Sequence, residues 1–404
     1  MINVAILGFG VVGSGVGEVI RMNNEKLKAA LGDSIKVKYI FDKREFPNTI
    51  WQDLVVHDID VIMNDPEVNV VVECMGGAHP AVDFSLEALG KGKHVVTSNK
   101  EVVAKFGHEL IATAKKNGVG YMFEASVGGG TPVIRPIARC LAANEIDSVC
   151  GILNGTTNYI LTMMNKYSES FDVALKSAQE KGYAEHDPSD DINGIDTCRK
   201  ICILADIVFG KGVDSTKTYA EGITAIRNKD VKIAEALGSA IKLLGRCKKI
   251  GDKLSVMVAP FIVSGERVIS KIDDVFNAVA VNGNAVGEVT LSGRGAGMLP
   301  TASAMVADIL DVVKTGGLDV SWCAPDETPE GFLVDAMDVE DKYYIAFEAK
   351  EKKPIEELFD AKILDTNDGE ICIATEKMTY RECKARIAKL EEKGIKSLSL
   401  IRIF

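Results

Sequence analysis

Apolar residues recur along the first third of the chain in two alternating rhythms. Short apolar runs at residues 2–7, 35–41, 68–73, 94–97 and 119–125 have the length and make-up of buried strands. Between them, apolar residues three and four apart predict helices, first through Val16, Val19 and Ile20, then over 81–89 and 101–116. Strands alternating with helices imply a parallel, doubly wound sheet whose ligand sits at the carboxyl ends of the strands.

The turn after the first run reads Gly8-Phe9-Gly10-Val11-Val12-Gly13. A glycine turn between strand and helix is the Rossmann-type dinucleotide fingerprint. Gly8 permits the turn, Gly10 lets a pyrophosphate approach the backbone, and Gly13 lets helix and strand pack closely. The second strand ends at Asp42-Lys43-Arg44. An acidic residue there suits the ribose hydroxyls of NAD, and basic residues suit the 2′-phosphate of NADP, so either coenzyme is open. The offset from the glycines exceeds the usual ~20 residues, and residues 23–33 read as the extension that explains it. Met75-Gly76-Gly77 and Thr97-Ser98-Asn99-Lys100 fall at further strand ends, on the binding edge. The three glycines of Glu124-Ala-Ser-Val127-Gly-Gly129-Gly-Thr131-Pro read as a hinge, a binding turn, or both.

The middle third carries the chemistry. Gly151 to Leu161 reads as a strand end, a polar turn and a helix start, with Asn154, Thr156, Thr157 and Asn158 as capping types. Gly182 to Lys200 gathers Glu185, Asp187, Asp190, Asp191 and Asp196 with Arg199 and Lys200. Its first part is turn-rich, and from about Gly194 the apolar spacing becomes helical. Asp196 and Lys200 then share one helix face. An isolated pair of this kind is usually a surface ion pair, but at a loop–helix junction it could grip a zwitterion beside a proton donor. An EF-hand loop starting at Asp187 would place Ile192 where glycine is required, and one starting at Ser189 would end on Lys200, so calcium is rejected. His186 has no ligand partner and takes no metal role. Further on, 231–244 predicts an amphipathic helix. Residues 254–263 and 266–269 predict strands of a sheet that needs a cover, such as a partner subunit. A helix over 301–313 returns to the nucleotide domain.

Composition narrows the class. The chain has 404 residues, 47% of them hydrophobic, and a net charge of −11. That size predicts two or three domains, and the acidic balance disfavours nucleic acid. No apolar run approaches the ~18 residues of a membrane span, and the opening residues lack a basic leader. Nine cysteines without a Cys-x-x-Cys read as free thiols in a reducing cytoplasm.

Taken in order, Gly8-x-Gly10-x-x-Gly13, Thr97 to Lys100, Glu124 to Pro132, Gly151 to Leu161, Gly182 to Lys200 and Gly293-Arg294-Gly295-Ala296-Gly297 closely resemble the motifs of the homoserine dehydrogenase family. The resemblance spans residues 1–315. It implies reversible NAD- or NADP-dependent hydride transfer between L-aspartate 4-semialdehyde and L-homoserine, a step of threonine, methionine and isoleucine biosynthesis. It implies Lys200 as proton donor, Asp196 as substrate or mechanistic partner, Lys100 between coenzyme and substrate, and Glu185 as a substrate ligand. It also implies a monovalent cation (Na⁺ or K⁺) at Glu124 with backbone groups of Val127, Gly129 and Thr131, and a homodimer or homotetramer. The residues suit that chemistry. A developing alkoxide needs a proton and nearby positive charge, and a second cation such as Lys100 would lower the pKa of Lys200. Glu185, Asp191 and Asp196 could hold an ammonium group, and Thr156 with its neighbours a carboxylate. Coenzyme contacts are expected from Gly8 to Gly13, Lys43, Arg44, Gly76, Thr97, Ser98, Lys100 and Gly297. Arg294 stands where the family usually has proline.

After a linker over 325–330, the pattern runs strand 342–347, helix 355–359, strands 361–364 and 370–374, helix 380–393, strand 397–404. That is a split βαβ, ferredoxin-like order, similar to an ACT regulatory domain but without the usual Pro-Gly turn. Threonine feedback and a purely structural or dimerising tail both stay open. The expected division is a nucleotide domain at 1–133 with 298–320, an α+β substrate and dimerisation domain at 134–297, and the tail at 338–404. Two rivals remain: a catalytically silent amino-acid sensor, and an oxidoreductase acting on another semialdehyde.

Overall fold

The structure, a computed structural model, describes residues 1–404. Its first sheet is built from β1 (Ile2–Leu7), β2 (Ile35–Phe41), β3 (Val55–Val56), β4 (Val68–Glu73), β5 (His94–Thr97) and β6 (Tyr121–Met122). Their order is β3-β2-β1-β4-β5-β6, and every pairing is parallel. The β1/β4 neighbour relation is the switch point of a doubly wound sheet, where strand order reverses and a crevice opens. Val4, Ile6, Val70 and Val72 face one side, packed with Val16, Ile20, Met305 and Ile309. Ala5, Leu7 and Val71 face the other, packed with Val82 and Leu110. Residues 23–33 hold the short helix Asn24–Leu31, which accounts for the long offset to Asp42.

The second sheet holds β7 (Ile146–Ile152), β8 (Tyr219–Ala220), β9 (Ser239–Ile250), β10 (Lys253–Ser264), β11 (Phe276–Gly283), β12 (Gly287–Arg294), β13 (Glu340–Glu348), β14 (Ala361–Asp365), β15 (Glu370–Thr375), β16 (Met378–Thr379) and β17 (Lys396–Ile403). Its path is β12-β11-β7-β9-β10-β17-β13-β15-β14, with β8 on β10 and β16 on β13. Within it, β17-β13-β15-β14 with the helices Lys353–Glu356 and Tyr380–Glu391 forms the ferredoxin-like unit. The helix Met298–Thr315 leaves the second sheet and packs on the first helix, Val11–Met22. A Cβ at Gly15 would lie 2.7 Å from the Met298 carbonyl oxygen.

Three expectations change. The strand over 119–125 is reduced to Tyr121–Met122. The Glu124 amide turns to the Asp308 Oδ2 (2.9 Å) rather than extending the ladder, and Ala125–Gly128 is a helical turn. The helix over 231–244 stops at Ala236, where Gly238 takes φ +65° and the chain enters β9, paired residue for residue with β10. The stretch 266–269 is no strand: Arg267 and Ser270 amides bond locally to Ser264 and Arg267 carbonyls, closing a 3₁₀ turn at Val268–Lys271. The strand β10 at the centre of this sheet is covered from within the chain. Val256, Val258 and Ile262 of β10 pack against the helix Ile195–Phe209, and Met257, Ala259, Phe261 and Val263 against Ile269 and Ala336.

Candidate active site

The helix Val11–Met22 begins directly after the glycine turn, and no side chain caps it. Its first-turn amides have no intrahelical partner by geometry, so the end is suited to an anion. Gly8 (φ +87°) makes the turn. A Cβ at Gly13 would stand 2.0 Å from the Gly8 carbonyl oxygen, so this contact admits only glycine. The space beside Gly10 and Gly76 is open. Val11 is exposed and Val12 half-buried at the same edge. Phe9 differs from its neighbours: its ring is buried between Phe46 and Trp51, and its amide donates to the Asp42 Oδ2 (2.7 Å). Asp42 also accepts from the Arg44 amide and guanidinium, and this guanidinium holds its carboxyl well below the usual range, with burial opposing. Lys43 and Arg44 are exposed.

The exits of β4 and β5 are joined by a residue the sequence reading missed. Glu73, fully buried, accepts from the Met75 amide (2.6 Å) and the Thr97 hydroxyl (2.5 Å). Burial pushes its carboxyl up to about 7, against those hydrogen bonds. Thr97 therefore faces inward as a brace, while Ser98 is half-buried at the edge. Asn99 caps the helix Lys100–Lys116 and donates to the Met75 and Gly77 carbonyls, leaving Lys100 at the mouth of the crevice. An acidic strand end three positions before the Gly76-Gly77 pair was the available signal.

Facing this edge is the helix Ile195–Phe209. Asp196, 3% exposed, pairs with the Lys100 ammonium through Oδ1 and with Lys200 Nζ through Oδ2 at 2.8 Å. One carboxylate thus bridges a lysine at the edge of the first sheet and a lysine on the helix Ile195–Phe209. Lys200, 12% exposed, also donates to the Leu153 carbonyl at 2.8 Å. Two of its three ammonium hydrogens are spoken for and one is free. Burial, then the Lys100 charge, lowers the Lys200 pKa, with Asp196 opposing. Burial opposes ionisation of Asp196, but the two ammonium groups outweigh it and hold the carboxyl well below its usual range.

Asn154 is a second missed residue. Its Nδ2 donates to Asp191 Oδ1 (2.7 Å) and Asp196 Oδ2 (2.8 Å), while its Oδ1 accepts from the Thr157 amide and hydroxyl. The capping role visible in sequence was half of its work; the bridge needed two acidic residues, Asp191 and Asp196, brought from a distant part of the chain. Burial, then the Asp196 charge, raises the Asp191 pKa. Thr156 donates its hydroxyl to the Tyr183 carbonyl (2.6 Å), which ties the acidic loop to the helix Gly155–Tyr167. Glu185 is exposed on that loop, outside the buried cluster.

The Glu124 carboxylate does not fit a cation ligand. It accepts from the Val133, Ile134 and Arg135 amides at 2.6–2.8 Å and pairs with Arg135 Nε, so both oxygens are engaged. No group of three or more His, Cys, Asp or Glu could hold a metal. A cation at this turn would have to take main-chain carbonyls of Val127, Gly129 and Thr131. The turn is tied to the Gly293–Gly297 loop by Gly130 N to Arg294 O (3.1 Å), and Arg294 stacks its guanidinium on Phe276. Gly297 leads into the helix Met298–Thr315.

Known proteins resemble this chain in sequence and fold. A family model described as homoserine dehydrogenase matches residues 132–310, and one described as the homoserine dehydrogenase NAD-binding domain matches residues 8–124. The homoserine dehydrogenase of Neisseria gonorrhoeae is 36% identical over 96% of this chain and 95% of its own length. The crystal structure of a homoserine dehydrogenase from Thiobacillus denitrificans superposes with a TM-score of 0.90 at 35% identity, covering 100% of this chain and 98% of that one. A hyperthermophilic archaeal homoserine dehydrogenase mutant in complex with NADPH superposes with a TM-score of 0.66 at 28% identity, covering 77% of this chain and 97% of its own. No helix is long and apolar enough to cross a membrane. Matched by two family models and, in its relatives, along nearly its whole length, the chain belongs to the homoserine dehydrogenase family, oxidoreductases that act on a CH–OH group with NAD(P).

Proposed function

We propose that the chain interconverts L-aspartate 4-semialdehyde and L-homoserine, with Lys200 as the proton donor to the developing alkoxide. The observation that carries this reading is the Lys100–Asp196–Lys200 bridge at the mouth of the nucleotide crevice, with Asp196 and Lys200 out of water and Lys100 at the rim. The nicotinamide coenzyme, when bound at the glycine turn, supplies the hydride. Lys200 holds a free ammonium hydrogen for the substrate oxygen, and its lowered pKa eases the transfer of that proton. Lys100 keeps a second positive charge beside the oxygen, where charge develops. Asp196 orients both lysines. Asp191 and Glu185 face the substrate ammonium, and the helix end at Thr156 and Thr157 faces its carboxylate. Because Asp42 is engaged with Phe9 and Arg44, Lys43 and Arg44 are the better candidates for a coenzyme 2′-phosphate, and NAD remains the alternative.

The same reading assigns a monovalent cation to the carbonyls of Val127, Gly129 and Thr131, a homodimer or homotetramer in the cytoplasm, and the division at 1–133 with 298–320, 134–297 and 338–404. The tail is an ACT-like unit, either regulatory or purely structural.

The test is reduction of NAD⁺ and NADP⁺ by L-homoserine, with and without K⁺ and L-threonine, beside a panel of other hydroxy amino acids. Homoserine-dependent reduction is expected. Silence with both coenzymes from folded protein would leave the silent-sensor reading, and a preference for another alcohol would move the assignment to another semialdehyde.

A further inference from the structure

The strand β17 enters the second sheet beside β10, pairing Arg402 with Phe261 and Ile403 with Ile262 in parallel. At this junction the Arg402 side chain is 2% exposed. Its guanidinium is sandwiched against the rings of Tyr380 (4.5 Å) and Tyr219 (5.1 Å). The carboxylate it bonds is that of Glu221, Nη1 to Oε2 at 3.0 Å; Asp341 stands farther off, at 3.9 Å from Nε. The Tyr219 hydroxyl donates to the same Glu221 oxygen at 2.8 Å. A buried guanidinium with one close carboxylate is strongly tied to it, because losing the partner leaves an uncompensated charge out of water.

Glu221 is not an ordinary anchor point. Its own amide donates to the Val258 carbonyl of β10 (2.9 Å), and two residues on the Ile223 amide donates to the Ile192 carbonyl (2.9 Å). Between them, Gly222 lies flush on the acidic loop: a Cβ there would stand 2.0 Å from the Ile192 carbonyl oxygen and 2.6 Å from Asn193 Cα. Ile192 follows Asp191, whose carboxylate is held by Asn154, and Asn154 holds Asp196 with its other hydrogen. An unbroken line of contacts therefore runs from the last strand of the tail to the candidate substrate carboxylates.

We propose that Arg402 and Glu221 are positioning residues for the substrate end of the site: their ion pair holds the 221–223 segment against the acidic loop and so sets where Asp191 stands. The inference rests on the proposed role of Asp191 toward the substrate ammonium. It makes the tail a structural support of the active site within one chain, independent of any effector.

The line reaches the acidic loop and stops short of the glycine turn, so its effects separate. In the full-length protein, Glu221→Gln keeps the side chain's shape and removes the charge pair. KM for L-homoserine should rise about tenfold, with kcat within about threefold and KM for the coenzyme within about twofold of the parent. Arg402→Met should give the same pattern, Arg402→Lys should recover part of it, and the double variant Glu221→Gln/Arg402→Met should lose no more than either single one. An unchanged homoserine KM, or an equal rise in both KM values, would overturn the proposal. Hydrogen exchange of the unliganded protein decides the same point without turnover. Amides over residues 183–194 should exchange faster in Glu221→Gln while those over residues 2–22 stay as in the parent. Unchanged exchange over 183–194 would overturn the linkage even if homoserine is turned over. Faster exchange in a protein that does not turn over homoserine would uphold the linkage and defeat the functional reading alone. If Arg402→Met does not fold, Glu221→Gln carries both readouts.

Discussion

The two halves of the crevice are built by opposite means. On the coenzyme side, the shape comes from missing side chains and unpaired helix-end amides: Gly8 and Gly13 bring backbone close to backbone, the space beside Gly10 is open, and no side chain caps the helix Val11–Met22. On the substrate side, the shape comes from polar and charged side chains around the buried Asp196 and Lys200, with Lys100, Asp196, Lys200, Asn154 and Asp191 each engaged by another. A backbone cradle binds whatever phosphate fits it. A buried charge cluster is poised for one protonation change, because burial and mutual repulsion have already moved its pKa values. Binding and chemistry should therefore fail separately when each half is damaged.

The largest effect expected is on chemistry. Lys200→Ala should lower kcat by about a thousandfold or more while coenzyme affinity, followed by NAD(P)H fluorescence, changes less than about twofold. Equal loss of both would remove Lys200 as the proton donor and erase the contrast between the halves. Next in size is Lys100→Met. It should cost about a hundredfold in kcat and also move the pH profile. Homoserine oxidation needs neutral Lys200, so its rate rises with pH through the Lys200 pKa. That pKa is lowered by burial and by the Lys100 charge, so removing the charge must shift the midpoint to higher pH. A midpoint that stays or falls would show that Lys100 does not act on Lys200.

Damage to the cradle should do the reverse. Gly13→Ala places a Cβ against the Gly8 carbonyl, so coenzyme binding should weaken by about tenfold or more, with kcat at saturating coenzyme nearly kept. The smallest effect is expected at its rim. Lys43→Ala with Arg44→Ala should weaken NADPH more than NADH by several-fold, measured as the ratio of KM values, and most clearly at low salt. An unchanged ratio would take both residues out of phosphate recognition and return Asp42 to the ribose.

The sequence by itself determined the cradle and the order of elements. A glycine turn needs only six consecutive residues and the apolar runs on either side, so Gly8 to Gly13, the alternation that builds β1, β2, β4 and β5 and the split βαβ pattern of the tail were all readable, while the two-residue β3 was not. Lys200 and Asp196 were readable as a pair because four residues on a helix make neighbours. Where local signals tied, tertiary contacts decided. Residues 239–244 are apolar enough for a helix, but twelve paired positions along β10 draw them into a strand. Glu124 carries a family motif, yet its carboxylate caps the Val133–Arg135 amides, which lie within hydrogen-bond reach. Only the folded chain could bring Lys100 to Asp196, Asn154 to Asp191, and Arg402 to Glu221, pairs separated by 96, 37 and 181 residues. Charge clusters of this kind leave no periodicity, because what holds them is exclusion of water at the meeting of distant elements rather than any preference of the local backbone.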